Sequence, residues 1–213
     1  MKPMTKADAG LLERPGYYMV NEIFESPQGE GAMAGTPMLF VRFSKCNLRC
    51  SRTNSAGFDC DTDFGGGRWY TQAELLERID QSELPWVIFT GGEPLLQLDA
   101  ELTEAIHARG KEIALETNGT IRTKLPLDHI TVSPKTAEHT IRQRVCHELR
   151  VVRANEQELS AFDSVQADFR FISPAFEPNG ELHPSTLAWC KKLVLENPAW
   201  TLSVQSHKAE GIR

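Results

Sequence analysis

Seven short runs rich in Val, Ile, Leu and Phe, separated by stretches of helical periodicity, constrain this chain more than any other feature. They are TPMLFVRF (36–43), PWVIFTGG (85–92), KEIALETNG (111–119), DHITVSPK (128–135), CHELRVV (146–152), DFRFISP (168–174) and WTLSVQSH (200–207), with YYMVNEIF (17–24) as an edge strand ahead of them. Several are almost continuously apolar, as parallel strands are when both faces of the sheet are covered. Four helices are expected between them. TQAELLERID opens with a capping box of Thr71 and Glu74, and AELTEAIHARG is capped by Asp99 and stops at Gly110. EQELSAF is capped by Asn155, and PSTLAWCKKLVLE carries Pro184 in its first turn. The connections 119–128 and 135–146 are too short or irregular for a full helix. Repeated β-then-α order implies right-handed crossovers and a parallel sheet or barrel. So few helices argue against a complete eight-fold barrel. The expectation is a single α/β domain at 17–213, a partial TIM-like barrel of about six parallel strands, behind a loose polar arm at 1–16. No repeat, low-complexity tract or linker marks a second domain.

Composition narrows the function classes. The 213 residues carry 29 acidic and 23 basic side chains, a formal charge of −6, where a nucleic-acid binder shows a basic excess. No apolar run approaches the ~20 residues that span a bilayer, and the first residues lack the apolar stretch of a signal peptide. A cytoplasmic protein is expected, without membrane or nucleic-acid partners. In a reducing compartment, five cysteines of which three fall close together at 46, 50 and 60 point to metal binding or catalysis rather than disulfides.

In barrel folds the chemistry sits at the C-terminal ends of the parallel strands. Here those ends carry the Cys46–Cys60 segment, TGGEP (90–94), ETNG (116–119), SPK (133–135), Ser173-Pro174 and 205–208. Three thiolates on one strand-following loop can wrap a metal centre and leave a position open. A structural zinc site wants four ligands, and no His lies near the loop; an iron–sulfur cluster with one open iron suits the count better. Packed core cysteines are the plain alternative, and both Cys146 and Cys190 are assigned to packing.

The cysteine loop resembles that of the radical S-adenosylmethionine (SAM) enzymes, whose usual signature is Cys, three residues, Cys, two residues, Cys. The present chain keeps the first gap and has nine residues, SRTNSAGFD, in the second. NEIFESPQGEG (21–31), FVRFSKCNLRC (40–50), CDTDF (60–64), TGGEP, LETNGT (115–120), VSPK (132–135) and LSVQSHK (202–208) together resemble one family within them, the 7-carboxy-7-deazaguanine synthases of 7-deazapurine (queuosine-precursor) biosynthesis.

The resemblance implies that Cys46, Cys50 and Cys60 hold a 4Fe–4S cluster whose fourth iron chelates SAM. Asp59, Asp61, Gly91, Gly92, Ser133, Pro134, Lys135 and Ser173 would meet the SAM, although Ser173 stands where relatives often have Gln. Thr62 would ligate Mg²⁺, a cation that takes hard oxygen ligands. The implied substrate, 6-carboxy-5,6,7,8-tetrahydropterin, would meet Pro27, Gln28, Gly29, Glu30, Arg42, Thr90, His207 and the terminal carboxylate of Arg213. Arg42 can offer a bidentate fork to its carboxylate, or be salt-bridged within the protein. A SAM-derived radical would then drive ring contraction to 7-carboxy-7-deazaguanine with loss of ammonia, SAM being regenerated. A flavodoxin- or ferredoxin-type electron donor and a homodimer are also implied. The competing readings are a radical SAM activase that makes a glycyl radical on a partner, and a non-catalytic metal-binding module.

Overall fold

The computed structural model describes residues 15–51, 53, 56–60, 66–160, 162–177 and 179–205. Among these, nine strands form one sheet: β1 (Tyr17–Pro27), β2 (Pro37–Phe43), β3 (Arg68–Thr71), β4 (Trp86–Gly91), β5 (Glu112–Thr117), β6 (His129–Val132), β7 (Val145–Arg153), β8 (Gln166–Pro174) and β9 (Thr201–Leu202). Their order is β3-β1-β2-β4-β5-β6-β7-β8-β9. From β2 to β9 every pairing is parallel, whereas β1 runs antiparallel to both β2 and β3. The seven parallel strands make the incomplete α/β barrel the sequence implies, whereas β1, expected as an edge strand, is flanked on both sides, by β2 and by β3, which takes the edge. The four-residue β3 was not anticipated.

Three helices, α1 (Gln72–Asp80), α2 (Ala100–His107) and α3 (Pro184–Glu196), cover the outside. The Thr71–Glu74 capping box forms in both directions, Asp99 caps α2 by accepting from the Leu102 N–H at 2.9 Å, and His183 caps α3 just before Pro184. Residues 156–162 are expected as a fourth helix, but the described ones, 156–160 and 162, are irregular. Glu156 and Phe162 both adopt positive φ (61° and 49°), a conformation that ends a right-handed helix. Tertiary bonds hold the segment open: Arg153 Nε donates to the Glu158 carbonyl at 2.9 Å, and Trp189 Nε1 to that of Gln157 at 2.9 Å. A seven-residue helix is too marginal to compete with such bonds.

The strands read as continuous apolar runs because their alternate residues enter different cores. Val41, Phe43, Phe89 and Leu115 face outward against Leu75 and Ile79 of α1 and Leu102 and Ile106 of α2. A second outer cluster, Leu149, Val151, Ile172 and Cys190 among it, packs under α3 and also holds Cys146. On the inner face, Met38, Phe40, Ile88 and Ala114 form an apolar floor. One step further toward the strand ends the inner face turns polar. Phe40 pairs with Ile88 and Arg42 with Thr90, and Glu116 follows Ala114 on β5. That switch from apolar floor to polar layer sets the depth of the site.

Candidate active site

Above the floor lies a cavity of about 250 Å³ at the C-terminal ends of the parallel strands. The cysteine loop enters it directly from β2. Lys45 takes φ 77°, an uncommon conformation for a side-chain-bearing residue, and so turns the chain over the strand ends. Gly92 is what the turn requires. A Cβ there would stand 1.8 Å from the Lys45 carbonyl oxygen, and one on Gly91 (φ 104°) would stand 2.4 Å from that of Phe43. The backbone then pins the loop, Gly92 N–H to Phe43 at 3.0 Å and Glu93 N–H to Lys45 at 2.9 Å. These glycines let the cysteine loop approach closely, and both also line the cavity. Glu93, fully buried, braces the same corner by accepting from Thr117 Oγ1 and the Asn118 N–H, both at 2.8 Å. Burial pushes its carboxyl up, and these hydrogen bonds oppose that rise.

All three cysteines of the loop border the cavity and none is in a disulfide. Cys46 Sγ accepts from the Leu48 N–H at 3.4 Å and from Asn118 Nδ2 at 3.9 Å. Burial raises its thiol, the Leu48 bond lowers it, and charge at Glu93 and Cys60 raises it again, so Cys46 and Cys60 feel one another. No three His, Cys, Asp or Glu side chains among the described residues group tightly enough for a single ion. A four-iron cluster spreads its thiolates more widely than one ion does. Three thiols on one cavity, with the Leu48 and Asn118 N–H groups aimed at the Cys46 sulfur, suit that donor set.

The polar layer is organised around a partly buried carboxylate that the sequence alone does not single out as a site residue. Glu116 accepts from Gln28 Nε2 at 3.2 Å and Thr90 Oγ1 at 2.7 Å, and pairs closely with Arg150 Nη2. Burial alone would raise its carboxyl, but the Arg150 charge and these donors outweigh that and hold it at about 2. Arg150, 4% exposed, also lies 3.5 Å from Glu30 and 3.5 Å from Glu148. Its run, CHELRVV, reads as a strand and nothing more; only its place opposite Glu116 reveals the role. ETNG was recognised as a polar strand tip, the one signal that pointed toward Glu116.

Gln28, Glu30, Arg42 and Thr90 all line this cavity, as do Asp59, Gly91, Gly92, Ser133, Lys135 and Ser173. Arg42 is ion-paired within the protein as well, its Nε 3.1 Å from Glu22. Lys135 Nζ donates to Ser133 Oγ at 2.6 Å. Ser173 Oγ is buried without a hydrogen-bond partner among the described residues. Pro27, Gly29 and Pro134 are not on the cavity wall; Gly29 and Pro134 are buried beside it and Pro27 is exposed. Asp61, Thr62, His207 and Arg213 lie outside the described residues.

A family model for the radical SAM superfamily matches residues 40–156. The chain is 39% identical over 212 residues to the 7-carboxy-7-deazaguanine synthase of Bordetella pertussis, covering 92% of this chain and 99% of that one. It is 40% identical to the synthase of the same name from Bradyrhizobium diazoefficiens, with the same coverage. Its fold is similar to the crystal structure of QueE from Escherichia coli, with TM-score 0.67 and 20% identity over 89% of this chain and 94% of that one.

Proposed function

The chain belongs to the 7-carboxy-7-deazaguanine synthases of the radical SAM superfamily, and from that premise we propose how its barrel mouth performs their reaction. The enzyme converts 6-carboxy-5,6,7,8-tetrahydropterin to 7-carboxy-7-deazaguanine with loss of ammonia, using a 4Fe–4S cluster and SAM. When bound, the cluster and SAM supply hydrogen-atom abstraction. Cys46, Cys50 and Cys60 hold the cluster, and the Gly91–Gly92 corner fixes the loop that presents them. Asp59, Ser133, Lys135 and Ser173 form the SAM wall, with Asp61 expected beside them and Pro134 packed behind. The unpartnered Ser173 hydroxyl supports a polar ligand there, because a buried hydroxyl left unpaired is costly.

The substrate reading rests on chemistry of matched sign. The amino-pyrimidine edge of a pterin presents N–H donors, and the carboxylate oxygens of Glu30 and Glu116 are acceptors. Gln28 and Thr90, already bonded to Glu116, orient that acceptor. Arg42 stands beside Glu22, its Nε 3.1 Å from that carboxylate, and offers its outer nitrogens to the substrate carboxylate. His207, the Arg213 carboxylate, and Thr62 with Mg²⁺ complete the proposed set; Pro27 and Gly29 shape the turn that carries Gln28 and Glu30. A flavodoxin- or ferredoxin-type donor, a homodimer and a cytoplasmic location belong to the same proposal. No helix among the described residues is long and apolar enough to cross a membrane.

The observation that carries the reading is the convergence of thiols, SAM-wall residues and ring-reading residues from most of the sheet on one cavity. The test is anaerobic reconstitution with iron and sulfide, then incubation with the tetrahydropterin, SAM, Mg²⁺ and dithionite. Mass spectrometry should find 7-carboxy-7-deazaguanine with wild type and none with Cys50→Ala. A cluster that cleaves SAM without forming this product would overturn the substrate assignment.

A further inference from the structure

The chain's departure from the usual signature, nine residues between Cys50 and Cys60, has a structural counterpart on the opposite side of the barrel. The last part of that insert is fastened down. Ala56 is 3% exposed and Phe58 9%, and Lys135 Nζ lies 5.7 Å from the centroid of the Phe58 ring. Gln157, in the connection from β7 to β8, donates from Nε2 to the Ala56 carbonyl at 3.2 Å. The same amide presses on Gly57, where φ is 74° and a Cβ would stand 2.8 Å from Gln157 Nε2. No side chain fits there without displacing Gln157.

Gln157 is itself held from several directions. Its Oε1 accepts from the Ala154 N–H at 3.0 Å, and its carbonyl accepts from Trp189 Nε1 of α3 at 2.9 Å. The neighbouring Glu158 carbonyl accepts from Arg153 Nε at 2.9 Å, and Arg153 is buried. A continuous chain of bonds thus runs from α3 through Gln157 to the insert. The segment that fails to form its expected helix is the one that delivers this amide.

We propose that Gln157 is the positioning residue for Cys60. It clamps the insert at the Ala56 carbonyl, so that only residues 57–59 separate the clamp from the cysteine. Each residue left to be ordered when ligand binds costs conformational entropy, and ordering beforehand removes that cost from binding. Cys60 is exposed and has the long gap behind it, so it gains most from such an anchor. The inference rests on the reading of Cys60 as a cluster ligand and says what makes the long spacing workable.

The experiment compares iron release to a chelator from anaerobically reconstituted wild type, Gln157→Ala, Gln157→Glu and Cys60→Ala. Both Gln157 variants keep the backbone bond to Trp189, and Gln157→Glu keeps the side-chain size while losing the Nε2 donor. Iron should leave both about fivefold faster, the factor a single lost hydrogen bond of about 1 kcal/mol gives. The melting temperature of the cluster-free proteins should fall by no more than the about 2–4 °C which that same bond costs at this chain length. Release at the wild-type rate overturns the proposal, as does faster release accompanied by general melting in both variants. Full wild-type iron content in Cys60→Ala would instead overturn the ligand assignment on which it stands.

Discussion

Arg150 is one buried positive charge facing three carboxylates, Glu30, Glu116 and Glu148. Removing it leaves those largely buried carboxylates without their cation, which costs about 3–5 kcal/mol for a broken buried pair. Arg150→Met should therefore show that loss of unfolding free energy in urea at pH 7. The pH dependence has a definite sign. Glu116 is held at about 2 in the folded protein, below the ~4.3 of an unfolded glutamate. Its contribution is present above ~4.3 and is lost as pH falls through the folded value near 2. The gap between wild type and variant should be widest above about pH 4 and shrink toward pH 2; a gap constant to pH 2 would separate Arg150 from the ionisation of Glu116. Gly92→Ala is the complementary test of the cysteine corner. Its Cβ would meet the Lys45 carbonyl at 1.8 Å, so overpacking of about 1–3 kcal/mol and reduced iron uptake are expected in calorimetry and iron analysis. At this scale the sequence showed residues with local signatures: the cysteines, GGEP, Gln28 and Thr90. Glu116 and Arg150, 34 positions apart, meet only because β5 and β7 flank β6. No short-range pattern encodes that meeting.

Among the elements, those with complete local instructions formed as read. The box of Thr71 and Glu74 makes its reciprocal bonds, Thr71 N–H to Glu74 at 2.7 Å and Glu74 N–H to Thr71 Oγ1 at 3.3 Å. Thr71→Ala should destabilise the fold by about 1 kcal/mol in urea titration. It should leave turnover unchanged, since α1 packs on the outer core and contributes no residue to the cavity. Residues 156–162 carried comparable signs, a capping Asn155 and apolar Leu159 and Phe162 at helical spacing. Those apolar residues do enter the core: Phe162 is buried and Leu159 packs against the same cluster. They reach it from an irregular segment, because Arg153 and Trp189 claim the carbonyls of Glu158 and Gln157. Periodicity reports which residues go inside; it does not report that a neighbouring element will outbid the helix for backbone acceptors. The short β3 went unread for the converse reason, four residues being too few to set a period.

Across the whole molecule, the open barrel faces a problem of its own: β1 lies near one end of the sheet and β9 at the other, with no strand pairing between them among the described residues. The turn after β1 closes the distance. Gly31 donates its N–H to Ser203 Oγ at 2.9 Å, Ala32 donates to Glu148 at 2.8 Å, and Glu30 accepts from Gln205 Nε2 at 3.1 Å. The PQGEG motif is thus a latch across the barrel mouth as well as a wall of the cavity, which explains the glycine that ends it. Gly31 has φ 69°, and a Cβ there would stand 2.2 Å from the Glu148 carboxylate. Gly31→Ala should lift the turn from β7 while leaving the outer cores intact. Strain and crowding together should cost about 1–3 kcal/mol. Hydrogen–deuterium exchange would locate the effect: amides of residues 28–36 should lose protection about tenfold or more, the equivalent of ~1.4 kcal/mol, while those of β4 and β5 keep theirs. Because Glu30 travels with the turn, the apparent affinity for the pterin should fall more than the rate at saturation. Unchanged protection at 28–36 would mean that the mouth is held by the sheet alone, and that the bonds to Ser203, Glu148 and Gln205 follow closure rather than cause it.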